Sequence, residues 1–519
     1  MRRRLAFRNE RKLYRRNCSL TGDRIISQYP EKVAFPVIKY TEWHGDRYDP
    51  LCYGREIDWQ RPLMEQFAEL QRDVPRFSVI HQGMMDNSEY CQAASNNRNC
   101  YLIFSSNFSE DCMHSIGIQN CADVVDSYNV LQSTLCYECK DCYSCYSLSY
   151  ASNCFECRDS SFLENCRNCI NCLFCVDLVS GTHCLWNEPV GPERIQEERQ
   201  RVSRLSRQEF AAQMREYLAW SLQYPRKYTI EKQTEDCVGN YLSNAKNCYL
   251  AFECIELESC SYVDRFSHSS NCMDISYWGR NVEWAYYCQG VGYNSSNLRF
   301  CNLCFDSCFD LTYCDHCIFS KNCILSVGLK RNQFCIFNLC YSQAEYERLL
   351  PRIINRLREE DIWGDLFPIK YSTYAYNDTV AMDYFPINAT QAAQLGARIT
   401  DNALVTQSSG GKKLLESENI PLRWEGTPEE LSALALTCEQ TGKLFSIVGP
   451  ELAFYRKMNL PLPVIHPEER HARRISERLP RNLWERQCDR CKAILQTSFH
   501  RERPEIIYCT ACYEHYLYH

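Results

Sequence analysis

The residues best placed to do chemistry are four cysteines near the C-terminal end of the chain. Cys488-x2-Cys491 is followed, after 17 intervening residues, by Cys509-x2-Cys512. Each Cys-x2-Cys turns the chain tightly enough to aim two thiolates at one point. Two such knuckles complete a tetrahedral four-cysteine site. This zinc-ribbon spacing predicts one bound Zn2+. Four thiolates leave no position open for substrate or water, so the ion is expected to be structural.

The chain's other end has the same plan. MRRRLAFRNERKLYRRNC runs into Cys18 as HARRISERLPRNLWERQC runs into Cys488. Arg3, Arg4, Arg8, Arg11, Leu13 and Arg16 recur as Arg473, Arg474, Arg478, Arg481, Leu483 and Arg486, which makes the two ends copies of one module. The N-terminal ligand positions hold Cys18, Thr21, Lys39 and Glu42. A protonated lysine cannot ligate, so a metal-free ribbon with a basic helix, Arg2 to Arg16, is expected there. A third knuckle, Cys438-Glu-Gln-Thr441-Gly442-Lys443, precedes His466. Cys438 and His466 are weak metal candidates. Thr441 is a poor zinc ligand, and the favoured reading is the relic of a site.

The remaining cysteines invite a different explanation. Thirty-six in 519 residues is about seven per cent, near the level that marks disulfide scaffolds in short secreted chains. Residues 94–189, written in rows of twelve, place all 14 of their cysteines in the first, fourth, seventh or tenth column. Two runs, Cys136-139-142-145 and Cys166-169-172-175, approach iron–sulfur spacing. The last gap is wrong, and Val176 stands where the ferredoxin pattern has proline. Where cysteine is missing, the same phase carries Ser133, Leu148 and Leu163. A packing role explains both the hits and the gaps, because cysteine is a small hydrophobe that tolerates burial. The alternative is a thiol-based redox or soft-metal-handling protein, since thiolates favour Cu(I) and zinc.

Columns six and twelve are rich in Asn, Asp, Ser and Gly, which predicts two corners per row. Short strands between corners would stack into a coil of about 12 residues per turn, eight rungs and roughly 38 Å long. Tyr150, Phe162, Phe174 and Trp186 recur at intervals of twelve. They predict an outward aromatic ladder, more readily packed against a helix than stacked on sugars or bases. A second array lies at 237–340, with an irregular stretch at 278–300. Charged, helix-forming segments come directly after each array, at 190–225 and 342–358. A helix within 53–86 is expected to cap the first array, and 407–413 reads as a flexible linker.

The fold class expected is therefore mainly β with helices: two short-rung β-solenoid cassettes flanked by zinc-ribbon-like modules. The expected divisions are a degenerate ribbon at 1–52, a helical cap at 53–90, cassettes at 91–189 and 231–340, and a connector at 190–230. After them come a helix at 341–360, a mixed region at 361–430, a ribbon-like module at 431–470 and the zinc ribbon at 471–519.

Net charge is −7, but both ends are basic: residues 456–503 carry twelve Lys or Arg against six acids. Arg3, Arg4, Arg8, Arg11, Arg473, Arg474, Arg478 and Arg481 are candidate contacts to nucleic acid or a ribonucleoprotein. A solvated helix face is the alternative. A protein partner is also open. The basic N-terminal stretch lacks an apolar signal core, and no run approaches the ~20 apolar residues of a membrane span. A cytoplasmic protein with reduced or metal-bound thiols is expected, with no membrane partner. No serine–histidine–aspartate order, phosphate loop or HExxH is present, so no reaction nominates itself and an enzyme is the less favoured reading.

LAFRNERKLY, TGDRIIS, WHGDRYDP, YGREIDWQRPLMEQF, VPRF, NSEY, NCYL and ELAFYRKMNLPLP together resemble a family of large proteins from candidate-phyla bacteria. That family joins zinc-ribbon modules to Cys-rich repeats, and the resemblance covers most of the chain. It implies zinc at the C-terminal ribbon. Family members often carry Cys pairs where this chain has Lys39/Glu42 and His466/Glu469, so those two sites depart from the pattern. The resemblance carries no activity over.

Overall fold

The computed structural model describes residues 1–518 apart from 281, 287, 304–305, 402–403 and 405–410. Most of the stretch expected to be a linker, and Cys304 of the second array, lie outside the described residues. The molecule combines many short strands in sheets with helices.

Three hairpins of one design punctuate the chain. Tyr14–Asn17 pairs antiparallel with Arg24–Ser27, Leu434–Thr437 with Leu444–Phe445, and Trp484–Gln487 with Ile494–Thr497. The basic helix expected over Arg2–Arg16 is only Arg2–Leu5. Tyr14, Arg15 and Arg16 are strand residues, because the hairpin ladder claims them. The corresponding C-terminal helix, Pro467–Glu477, is longer. It begins on Pro467, with the His466 side chain accepting the Glu468 N–H.

Between the hairpins lie the two arrays. In the first, pairing is parallel and each residue meets the one twelve positions on: Gln92 with Phe104, Val124 with Cys136, Tyr146 with Arg158, Leu173 with Leu185. The second keeps the offset of twelve at Phe252/Asp264 and Phe309/Lys321. It shifts to thirteen at Ser276/Gln289 and Ser296/Phe309, within the stretch of irregular spacing. Each array closes in a tight antiparallel hairpin, Cys184–Leu185 with Glu188–Pro189 and Cys335–Ile336 with Leu339–Cys340.

The corners number four per row, not two. Every third residue is left-handed: in one row Asn96, Asn99, Leu102 and Ser105, all with φ near 50°. Asn and Asp adopt this conformation readily. The two further corners per row differ: one column holds Asn96, Asn120, Asn168 and Ser180, residues suited to it, and the other holds Leu102, Phe162, Phe174 and Trp186, which composition does not mark. The residue after each corner points inward, and the small side of each row explains the choice of side chain. Cys142 donates to Lys140 O (3.4 Å) and Ala151 O (3.7 Å), Cys172 to Ile170 O and Gly181 O, and Cys175 to Leu173 O and Cys184 O. A thiol thus fills the interior and offers a weak proton to the carbonyls two residues back and nine ahead. Serine in the same columns does likewise. Ser160 donates to Arg158 O and accepts from Cys172 N–H one row later.

The outward aromatic ladder forms as expected. Tyr150, Phe162, Phe174 and Trp186 stack at 5.1, 4.4 and 4.9 Å, with ring planes within 10° of parallel. Phe210, Tyr217 and Trp220 of helix Arg207–Ser221 cover it. The second array has a counterpart in Phe300, Tyr313, Leu325 and Phe337. Its cover includes Leu63, Phe67 and Leu70 of helix Leu63–Asp73. The sequence makes that helix a cap on the first array. It lies on the second because its apolar stripe matches that array's aromatic flank. The helix that precedes each array therefore packs on the other one.

The terminal hairpin modules cross over in the same sense. Val37–Ile38 pairs with Arg76–Phe77 just before the first array, while Arg76 reaches Asp315 of the second at 2.6 Å. Lys330 donates to the carbonyls of Trp43, Gly45 and Tyr48. Ile507–Tyr508 pairs with Arg226–Lys227 just before the second array, while Arg226 reaches Glu164 of the first at 2.8 Å, and Tyr513 reaches Asp177 at 2.8 Å. Among the described residues, no helix is long and apolar enough to cross a membrane.

Candidate metal centre

The C-terminal knuckle gathers its four thiols. The sulfurs of Cys488, Cys491, Cys509 and Cys512 lie within 4.8 Å of one another, and Cys491 and Cys509 are 3.7 Å apart. The turn that aims them is held by Cys488 N–H to Ala493 O (2.8 Å) and Lys492 N–H to Cys488 O (2.9 Å). Asp489 N–H to Ile507 O (2.8 Å) brings in the second pair. Lys492 takes φ 65° to complete the turn. Cys488 Sγ accepts the Cys509 N–H at 3.3 Å. Burial opposes ionisation of Cys488, but the N–H groups of Cys491, Cys509 and Arg490 outweigh it and bring the thiol down to about 6. The group can hold a metal ion. Among the described residues, it is the one place where three or more His, Cys, Asp or Glu ligand atoms converge in this way.

The other two knuckles have the same backbone. Cys18 N–H bonds Asp23 O, Gly22 N–H bonds Cys18 O and Ser19 N–H bonds Val37 O. Cys438 N–H bonds Lys443 O, Gly442 N–H bonds Cys438 O and Glu439 N–H bonds Val464 O. Even the N–H to thiol contact recurs, from Lys39 to Cys18 and from His466 to Cys438, each at 3.3 Å. The ligand sets do not recur. Lys443 pairs with Glu469 at 3.2 Å. His466 Nδ1 accepts the Glu468 N–H at 3.1 Å. The structure brings Cys438 and His466 together through the His466 N–H; Nδ1 of the imidazole caps the following helix, and Nε2 is buried without a hydrogen-bond partner.

The arginines expected to face nucleic acid turn inward instead. Arg4, Arg8, Arg474, Arg478 and Arg481 are buried. Arg474 meets Asp126 (3.0 Å) and Glu138 (3.1 Å) of the first array. Arg478 joins Asp141 of the first array (2.8 Å) to Glu253 of the second (2.9 Å), and Arg481 bonds Glu253 (3.0 Å) and Asp264 (2.9 Å). Arg4 bonds Asp274 at 2.7 Å, and Arg8 bonds Glu10 at 3.1 Å. Arg11 shares Glu468 with Lys12. Only Arg3 and Arg473 stay substantially exposed, each 44 %, and each has an acid partner, Asp365 and Glu138. A buried guanidinium already paired with carboxylate is neither free for phosphate nor part of a solvated face. The basic ends are the cement between the arrays. Burial opposes ionisation of Glu253, but Arg478, Arg481 and Arg265 override it and hold the carboxyl well below the usual range.

Apart from Glu10, two positions from Arg8, the acid partners are not legible in sequence, because they lie hundreds of residues from their arginines. A sealed relay is not legible there either. Tyr29 Oη is 3.2 Å from His316 Nε2, and His316 Nδ1 is 2.6 Å from Asp315. All three side chains are buried, and Arg76 closes on Asp315. His114, isolated in sequence, meets Glu451 at 3.2 Å.

No family model matches the chain, and no curated protein matches it. Among solved structures, it is similar to a candidate acetyltransferase from Desulfovibrio desulfuricans G20, at 9 % identity and TM-score 0.10, over 49 % of this chain and 71 % of that one. A likeness that slight carries no argument about fold or activity.

Proposed function

We propose that this protein is a zinc-binding repeat scaffold. Two β-solenoid cassettes with twelve-residue rungs are locked together by ribbon modules, and the C-terminal ribbon contacts nucleic acid or a ribonucleoprotein. The observation that carries this reading is the convergent four-thiol knuckle, beside which Arg490 and Lys492 are exposed. Zinc suits a closed set of four thiolates, and cations on a rigid turn suit phosphate. The proposed contact thus moves from the helical arginines to the ribbon.

The test is metal analysis of the purified full chain together with RNA binding across a salt series. About one zinc per chain and a colourless sample are expected. Replacing Arg490 and Lys492 by alanine should lower the log–log salt slope by about two. Absence of nucleic acid retention at low salt would remove that partner class. Visible iron–sulfur absorption, or several metals per chain, would favour thiol or soft-metal handling instead. Against that second reading stands the burial of the ladder thiols and their bonds to backbone carbonyls.

A further inference from the structure

The second array ends on a pair of thiols that no metal reading uses. Its closing hairpin turns through Phe337 and Asn338, with φ 47° and 61°, as a two-residue turn requires. Ile336 and Leu339 flank the turn, and Tyr341 N–H bonds Phe334 O at 3.0 Å on the far side. Cys335 and Cys340 lie opposite each other between these bonded pairs. Bonded and non-bonded pairs alternate along an antiparallel ladder, and the non-bonded pair is the closer, with Cα atoms about 4.5 Å apart. That falls inside the range of about 4.4–6.8 Å that a disulfide spans. The register sets the two residues directly across the ladder from each other, and the Cys335 thiol also donates to Gln333 O at 3.5 Å. Cys340 is exposed and Cys335 is buried. The first array ends in the same hairpin, but there Cys184 faces Pro189. The second thiol is a feature of this hairpin alone.

We propose that Cys335 and Cys340 form a thiol-modification site whose co-reactant is a small-molecule disulfide. The Cys340 thiolate attacks one sulfur of the co-reactant, forms a mixed disulfide and releases one small thiol. The Cys335 thiol then attacks the Cys340 sulfur and gives its proton to the departing small thiolate, which leaves as the second small thiol. Two protein thiols are oxidised to one cross-strand disulfide, and one small disulfide is reduced to two thiols. Partial burial and the Cys335 thiol push Cys340 up to about 12, so the reaction is slow at neutral pH. Its rate should rise about tenfold per pH unit, in step with the thiolate.

The experiment treats the full, metal-bearing protein with oxidised glutathione, blocks remaining thiols with a maleimide, digests with trypsin and weighs the peptide of residues 332–348. The expected peptide has lost two hydrogens and carries no maleimide. The peptide bearing Cys184 should be maleimide-labelled after unfolding. Cys335→Ser should trap glutathione on Cys340, and Cys340→Ser should leave Cys335 unmodified. A stable glutathione adduct on Cys340 in the unsubstituted protein would overturn the proposal. So would linkage of Cys340 to Cys52, the neighbouring exposed thiol, or rates independent of pH.

Discussion

The C-terminal and N-terminal knuckles share a backbone and differ in what holds it. Around Cys488 the apolar cluster is small: Leu479, Leu495, Phe499 and Ile507 supply most of it, and Cys491 is exposed. Around Cys18 and Ile25 the cluster is large and takes in Trp43, Phe67, Phe77, Tyr313 and Phe337. A ribbon with little core needs a metal to close it. A ribbon pressed into a larger body does not. Cys438 tells the same story, packed with Phe445, Leu452, Phe454 and Tyr455. Thr21, Lys39 and Glu42, and Thr441 and Glu469, stand at the ligand positions of the two modules that have these larger surroundings.

Metal removal should break the comparison most visibly. Structural zinc contributes an apparent 10–16 kcal/mol in isolated zinc-finger peptides, about an order of magnitude above a single side-chain contact. A strong chelator, or Cys488→Ser, should therefore raise amide exchange across 484–512 by several orders of magnitude. Residues 226–227 should loosen with them, since their partners are Ile507 and Tyr508. Exchange across 14–27 and 434–445 should stay where it was. Equal loosening of all three hairpins would mean that they share one clamp.

The next test removes the clamp between the N-terminal and middle modules. Glu468 joins the N-terminal and middle modules by accepting from Arg11 and Lys12. Glu468→Ala leaves two poorly solvated cations without their carboxylate, a change that costs about 3–5 kcal/mol when one partner of a buried pair is removed. Urea unfolding should show that loss, with exchange increasing at 14–27 and leaving 484–497 unaffected. The opposite pattern would place the principal clamp elsewhere.

Acid should act on the same side of the comparison. His466 and His471 are buried, and burial chiefly lowers each to about 4. Glu468, Asp383, Lys443, Arg11, Lys12, Arg470 and Arg474 add the charges that act on the two rings. Both values lie below the roughly 6.5 of an unfolded histidine, so the unfolded chain binds more protons between them. Stability from this pair is fully present above about pH 6.5 and is lost as pH falls toward 4, by at most about 1.4 kcal/mol per unit for each histidine. Urea midpoints from pH 7 to 4.5 should fall accordingly, and His471→Gln should flatten the slope.

How much of this was legible depends on range in sequence. The twelve-residue register, the four-thiol site and the ladder of Tyr150, Phe162, Phe174 and Trp186 are periodic or local, and periodicity survives without coordinates. The corner column of Leu102, Phe162 and Trp186 was invisible because those residues do not favour the left-handed region, whereas the column of Asn96, Asn120 and Asn168 carried the same signal as the two expected corners. The Leu102 column adopts it because the rows on either side fix the path. The destination of the arginines was invisible for a different reason. Charge runs look alike whether they meet solvent, phosphate or the chain's own acids, and Glu253 and Asp264 stand more than 200 positions from Arg478 and Arg481. The crossed packing of Leu63–Asp73 on the second array is likewise a long-range fact that its local stripe cannot announce.

The smallest effect gives the sharpest form of the comparison. Burial would raise the Cys18 thiol, but the Thr21 hydroxyl and the N–H groups of Thr21, Lys39 and Leu20 hold it below its ordinary value. Its work is to accept those bonds inside a closed turn. A serine hydroxyl can accept the same bonds, with some loss of fit from its smaller oxygen. Cys18→Ser should therefore cost about 1 kcal/mol, the scale of one hydrogen bond adjusted rather than lost. The same substitution at Cys488 removes one of the four convergent thiols and should open the whole hairpin. The ratio of the two losses, measured by exchange at 14–27 and 484–497, reads directly how far docking has replaced metal. If Cys18→Ser also opens its hairpin by several kcal/mol, the N-terminal knuckle still depends on its sulfur, and neighbours alone do not hold it.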